Sequence, residues 1–413
     1  MSAQDHRCEV AIVGAGMVGA ALAALLTRAG FSVSLVEARE PPAFNPGQAV
    51  GLRVSALSPG SAAILDAAGA WPEIEQVRSC PYRQMRVEDE GHEAVLAFEA
   101  PVFGLERLGT IVENTLVQSV LWRLARSSPL LRSWCPDAVK SLHMGEHSAR
   151  LTLDSGAVIE ARLVVAADGA DSAVRKQAGI AQQVWDYGQQ GIVSVVRTDR
   201  PNPGIAWQRF MPGGPLAFLP LADGQSSIVW TRPGAEADGL IMLDDAAFLQ
   251  VLNAASRGWL GEVLACGPRV AFPLTMRLSD RYVAARTVLL GDAAHVVHPL
   301  AGQGVNLGFA DAAALVEMLI AQRQGGGDLG DFGLLARYER WRRSESQVMA
   351  GGIHALRSLF ATPPMAGLRG LGMRLVSRSW LGREAFLRRA AGQGRNAPRL
   401  ARGEGLAALL RQG

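Results

Sequence analysis

The stretch Gly14-Ala15-Gly16-Met17-Val18-Gly19 stands between a short apolar run, Val10 to Val13, and an Ala/Leu-rich stretch, Ala20 to Arg28. The apolar run reads as a strand buried on both faces. The Ala/Leu stretch reads as a helix, stopped at Gly30. Phe31 to Val36 is expected as a second strand, completing a βαβ unit. Within this GxGxxG turn, Gly14 permits the tight bend, Gly16 lets the backbone approach a pyrophosphate, and Gly19 lets helix and strand pack closely. The helix N-terminus then presents free N–H groups and positive dipole to phosphates. Glu37 ends the second strand, where a carboxylate accepts hydrogen bonds from a ribose. The turn by itself announces a dinucleotide and leaves FAD and NAD both open.

Two more apolar runs end in the same way. Leu163 to Ala166 runs into Asp168-Gly169, and Thr287 to Leu290 runs into Gly291-Asp292. A helix is expected from about Gly308 to Arg323. The three runs, distant in sequence, are expected side by side in one parallel sheet. Between them the character changes. Residues 82–98 and 191–232 alternate apolar and polar, an antiparallel signature. Trp207 and Trp230 read as packing within that sheet. The expected fold is α/β: a Rossmann-like nucleotide-binding domain (1–80, 101–182 and 281–350), interrupted by an antiparallel substrate sheet (81–100 and 183–280), with a basic helical tail at 351–413.

A chain of 413 residues, about half hydrophobic and a fifth charged, is an ordered protein of two or three folding units. No continuous apolar run reaches the roughly 18 to 20 residues that span a bilayer. The N-terminus has no basic segment followed by an apolar one, so no signal peptide and a cytoplasmic location are expected. Cys8, Cys80, Cys135 and Cys266 are widely spaced, which predicts reduced thiols and no metal site. The net charge of +3 is uneven. From Ile353 onward eleven arginines face Glu384 and Glu404, whereas the first 352 residues carry a net −6.

The second motif continues as Asp168-Gly169-Ala170-Asp171-Ser172-Ala173-Val174-Arg175. The third continues as Asp292-Ala293-Ala294-His295-Val296-Val297-His298-Pro299-Leu300-Ala301-Gly302-Gln303-Gly304-Val305-Asn306. Asp292 at a strand end suits a ribityl hydroxyl, and a rigid, then glycine-rich loop suits a flat ring. Asp168 and Asp292 also suit plain capping roles.

In this order and spacing the three motifs resemble the single-component FAD-dependent aromatic hydroxylases of the p-hydroxybenzoate hydroxylase type, over residues 9–350. Leu52-Arg53-Val54-Ser55-Ala56-Leu57, Leu108-Gly109-Thr110-Ile111-Val112-Glu113-Asn114 and the His298-to-Gly304 segment resemble the ubiquinone-biosynthesis branch. Trp185-Asp186-Tyr187 and Phe218-Leu219-Pro220-Leu221 look most like its 2-polyprenylphenol hydroxylases.

The resemblance implies that Gly14, Gly16, Gly19 and Glu37 hold the ADP part of FAD. It places Arg53 near the cofactor and active site. It gives Asp168 and Gly169 to FAD and NAD(P)H, Asp292 to the ribityl chain or pyrophosphate, and Pro299, Gly302, Gly304, Val305 and Asn306 to the flavin ring. It further implies that NAD(P)H reduces FAD, that O2 forms a flavin hydroperoxide, and that oxygen passes to an electron-rich phenol ring. No catalytic base is assigned. His295, His298 and Arg53 are candidates, with a hydrogen-bonding scaffold as the other reading of the histidines. Alternative functions are a hydroxylase of a soluble aromatic acid and a non-catalytic flavoprotein scaffold of a quinone-biosynthesis complex.

After Arg343 the pattern weakens. Leucines and arginines alternate at helical spacing from Leu356 to Arg389. Such a stretch suits an anionic inner-membrane surface, a helix packed on the protein, or contact with other ubiquinone-biosynthesis proteins. Nucleic acid is not an expected partner, since the charge comes without a binding module.

Overall fold

A computed structural model describes residues 5–90, 92–297, 304–361 and 391–411. The three apolar runs lie side by side. Asp5–Val13 pairs in parallel with Val33–Val36 on one edge and with Val158–Ala166 on the other. The latter pairs in parallel with Thr287–Leu289. The registers Val13 to Ala166 and Ala166 to Leu289 bring all three strand ends, and so all three motifs, to the same edge. Leu131–Trp134 extends the sheet beyond Val33–Val36.

The first helix, Met17–Arg28, starts inside the glycine turn and is buried along most of its length. Its Leu22, Leu25 and Leu26 are fully buried, each contributing about 2 kcal/mol. The late helix, Gly304–Gln324, begins four residues before the expected start. It packs against the first helix. It is also long and apolar enough to span a membrane, although no uninterrupted apolar run signals it. Two-thirds of that apolar window is buried inside the protein, which makes it a core helix.

The second sheet runs in the order His295–Val296, Val270–Ser279, Gln182–Thr198, Ser226–Pro233, Leu216–Pro220, Ile205–Phe210, Gln84–Asp89, His92–Glu99. All its pairings are antiparallel except Ile205–Phe210 with Gln84–Asp89. Those two strands come from separate stretches of chain, so no hairpin dictates their direction. One face buries Ile192, Trp207, Phe218 and Trp230 against the helices Gly234–Met242 and Asp245–Ser256. Trp207 stacks on Trp259 at 5.7 Å and meets Phe218 edge-on, and Trp230 tilts against Phe248. Both tryptophans are sheet packing, as their alternation predicts.

A three-stranded sheet joins segments that the sequence leaves unconnected. Val54–Leu57 and Ser79–Tyr82 flank Gly109–Glu113. Gly109 is required there, since a Cβ would sit 2.8 Å from the Leu57 carbonyl oxygen.

The last described part of the chain packs on the core. Leu400 and Ala401 are buried in the core of the parallel sheet, joined by Leu406 and Leu409. The Glu317 carboxylate of the late helix accepts the Leu400 N–H at 2.9 Å. The spacing of leucines across 356–387 gave no hint of this, because the packing residues come later. That amphipathic expectation falls mainly on 362–390, outside the described residues.

Candidate active site

Glycines draw the three motifs together. Gly14 takes φ +101°, and a Cβ on it would lie 2.3 Å from the carbonyl oxygen of Ala167, next to Asp168. A Cβ on Gly19 would meet the Gly14 carbonyl oxygen at 2.0 Å and Ala167 Cβ at 3.0 Å. A Cβ on Gly308 would meet Val18 at 2.6 Å and Gly291 Cα at 3.3 Å. The first turn therefore touches the second motif through Gly14 and Gly19, and the third through Val18. Gly16 differs: around its Cβ position there is open space. Three tightly packed glycines around one that faces open space form a cradle at the helix N-terminus that fits a pyrophosphate.

Glu37 reaches back over this turn. Its carboxylate accepts the Ala15 N–H at 2.6 Å and the Arg39 N–H at 3.1 Å. Gln118, which sequence reading did not single out, donates to the Ala15 carbonyl at 2.9 Å. It lies on the helix after the Leu108–Asn114 segment, and that adjacency was the available signal.

Asp168 acts in part as a cap. It accepts the N–H groups of Ala173 and Val174, while Ser172 caps the same short helix at Arg175. One Asp168 oxygen is left buried with no partner among the described residues, so the side chain has a free acceptor directed inward. Gly169 takes φ +82° with open space around its Cβ position.

Asp292 lies in a short 3-10 turn and is solvent-accessible. Protein nevertheless encloses it closely enough that desolvation raises its carboxyl above the usual range, against the pull of His295, Arg53 and Arg277. Arg53 is exposed beside it, and Arg277 also pairs with Asp171 at 2.7 Å.

His295 is fully buried. Its Nε2 lies 2.7 Å from Asp311, whose other oxygen accepts from Arg342 Nε at 2.7 Å. Asp311 also accepts the Gly291 N–H at 3.1 Å. Burial alone would raise the Asp311 carboxyl, but His295 and Arg342 hold it below its ordinary value. An ionised Asp311 makes Nε2–H the donor. The Asp311 contact fixes the ring, and the Nδ1 on its other side is buried with no partner among the described residues. Asp311 and Arg342 escaped sequence reading, although a carboxylate in the middle of an apolar, buried helix demands a partner.

Asn306 accepts the Ser58 N–H at 3.0 Å and the Ser61 hydroxyl at 2.7 Å, and donates to the Ala56 carbonyl at 2.9 Å. Gly304 and Val305 open the same helix. His298, Pro299 and Gly302 lie outside the described residues. The chain on either side of them meets an apolar cluster of Met276, Val297 and Leu307, with Tyr187, Leu278 and Met349 packed against it.

The four cysteines are unpaired. Burial foremost pushes Cys80 up to about 11 and Cys135 up to about 12, so neither supplies a thiolate near neutral pH.

A parallel sheet with three motifs converging at one edge, and a second sheet beside it, defines a dinucleotide-binding protein. The chain belongs to the FAD-binding domain family, which matches residues 7–350. It is 37% identical over 388 residues to 3-demethoxyubiquinol 3-hydroxylase of Escherichia coli, covering 93% of this chain and 98% of that one. It is 38% identical to ubiquinone hydroxylase UbiL of Rhodospirillum rubrum, over 97% and 94% of the two chains. In solved structures its fold is shared by p-nitrophenol 4-monooxygenase PnpA of Pseudomonas putida, with a TM-score of 0.76 at 19% identity over 94% and 99% of the chains. The protein is an FAD-dependent monooxygenase.

Proposed function

We propose that this monooxygenase hydroxylates the aromatic ring of a polyprenylphenol intermediate in ubiquinone biosynthesis, using NAD(P)H and O2. The observation that carries this reading is near-full-length similarity at 37% and 38% to two hydroxylases named for ubiquinone chemistry. Bound FAD, reduced by NAD(P)H, supplies the oxygen activation, with one oxygen atom going to the ring and the other to water. The chain's own residues hold and shield it. Gly16 opens the cradle for the pyrophosphate, Glu37 takes the adenosine ribose, and Asp292 takes the ribityl chain. Pro299, Gly302, Gly304, Val305 and Asn306 flank the ring. Asp168 keeps a free acceptor for cofactor or nicotinamide. His295 acts as scaffold, His298 stays a candidate for handling the phenol proton, and Arg53, which stays protonated, is a candidate for holding the phenolate charge.

The Tyr187, Met276, Val297 and Leu307 cluster supports an apolar ring substrate, because oxygen transfer requires water to be kept out. The proposed location is cytoplasmic, with peripheral contact at the inner membrane. The domain division proposed is FAD-binding for 1–80, 101–182 and 281–350, and substrate-binding for 81–100 and 183–280.

The test is the quinone profile of a deletion strain together with the purified yellow protein. An accumulated prenylated phenol, and NAD(P)H oxidation stimulated by that compound, are expected. The structure of the accumulated compound gives the ring position. Normal quinone levels overturn the reading. Flavin reduction without substrate-dependent oxygenation indicates the scaffold alternative, and stimulation by a soluble aromatic acid alone indicates the other.

A further inference from the structure

Buried polar contacts hold the described chain both before and after residues 298–303. Downstream, Asn306 is bonded to Ala56, Ser58 and Ser61. Upstream, His295 and Gly291 both bond to Asp311, which is paired with Arg342. We propose that Asp311 and Arg342 are positioning residues for FAD: together they fix the Gly291–His295 turn, and through it the placement of Asp292.

Burying an ion pair is a poor way to gain stability, since desolvation cancels much of the attraction. Side-chain exposure is 1% for His295, 1% for Asp311 and 3% for Arg342. Replacing such a pair with apolar groups of similar volume is often neutral for folding. What an apolar pair cannot do is accept two converging donors. Asp311 Oδ2 takes both the Gly291 N–H and the His295 Nε2–H, so a single oxygen fixes both ends of the turn that carries Asp292. Gly291 stands at φ +57° with Val18 of the first helix against it, so the turn is set against the glycine cradle as well. Arg342 makes the arrangement directional. It comes from the helix Phe332–Ala361 and holds Asp311 Oδ1, leaving Oδ2 for the turn. Beneath it, Ser346, on the same helix, is 2.6 Å from the Tyr282 hydroxyl, and Tyr282 packs on the His295 ring at 5.8 Å. One helix thus supports the turn from two sides, and neither Asp311 nor Arg342 needs to touch the cofactor.

The inference rests on the reading that Asp292 faces FAD. The experiment compares three proteins reconstituted with FAD: the parent, Asp292→Ala, and the double variant Asp311→Leu/Arg342→Met, which removes both charges, strands neither and leaves no oxygen for the two donors. FAD dissociation constants, the flavin absorption spectrum and the melting temperature of the apoprotein are measured. The double variant is expected to melt within a few degrees of the parent and to bind FAD at least tenfold more weakly, with a shifted flavin spectrum. Unchanged FAD affinity and spectrum in the double variant, with Asp292→Ala weakened, overturn the positioning role and leave the Asp292 reading intact. Unchanged affinity in Asp292→Ala overturns that reading itself. Should the double variant fail to fold, His295→Leu, which removes one of the two donors to Asp311 Oδ2, is measured in the same way. Parent-like FAD affinity there also overturns the proposal.

Discussion

Three glycines in one turn do different physical work, and single substitutions separate them. At Gly14 a side chain meets both a left-handed backbone and the Ala167 carbonyl. Gly14→Ala is therefore expected to cost about 2 kcal/mol or more of stability, seen as a fall in apoprotein melting temperature. At Gly16 the added methyl enters open space. Gly16→Ala is expected to melt like the parent and to lose FAD affinity, read from flavin fluorescence on titration. Equal melting losses in both variants would remove the distinction between packing glycine and cradle glycine. These positions were legible in sequence because a turn between a buried strand and a helix leaves few solutions. The partner of Gly14, Ala167, was not. No pattern in residues 14–19 records which later strand lies beside Val10–Val13. His295 was legible only as an imidazole near a glycine-rich loop. Its meaning depends on Asp311, sixteen residues on, and on Arg342 in another helix.

At the scale of elements, what sequence revealed was the set of strands with continuous apolar runs, since burial on both faces removes the ambiguity of period. Val10–Val13, Leu163–Ala166 and Thr287–Leu289 were all expected and all lie in register. The three-stranded sheet of Val54–Leu57, Gly109–Glu113 and Ser79–Tyr82 was hidden, because short strands joined by distant pairing carry little periodicity. The late helix is held by its buried Asp311, and this has a pH consequence. Asp311 is held below its ordinary carboxyl value in the fold, whereas the unfolded chain titrates near 3.8. Its contribution is fully present above that value and is lost as pH falls below it, toward the lower folded value. Asp311→Asn, which leaves Arg342 buried and uncompensated, is expected to be less stable by about 3 kcal/mol at pH 7. The gap to the parent should narrow as the pH of urea denaturation is lowered below about 4. A gap independent of pH would mean that Asp311 is not ionised in the fold.

Over the whole molecule, the C-terminal end behaves differently from the charge count that drew attention to it. The stretch 362–390 carries six arginines against Glu384, but the chain returns to the core directly after it. Ala391 accepts the Gly60 N–H at 2.8 Å, and a Cβ on Gly60 would lie 2.7 Å from the Gly392 carbonyl oxygen. Gly60 sits between Ser58 and Ser61, the two residues that hold Asn306. Anchoring of the C-terminal segment is therefore continuous with the contacts that hold Asn306. Truncation before Ile353 removes Leu400 and Ala401 from the core along with the arginines, so it confuses loss of fold with loss of surface charge. Six Arg→Gln changes at 369, 374, 378, 383, 388 and 389 keep the buried anchor and remove only the charge. If these arginines hold the protein on anionic lipid, each contributes up to about 1 kcal/mol at the surface. The six-fold variant should then lose co-sedimentation with anionic vesicles while keeping its melting temperature and its FAD. Undiminished co-sedimentation, with zwitterionic vesicles as the blank, excludes these arginines as the contact. Gly60→Ala is the complementary probe. It leaves the charge alone and pushes on Gly392, so it should lower the melting temperature and weaken FAD binding without changing the response to anionic vesicles.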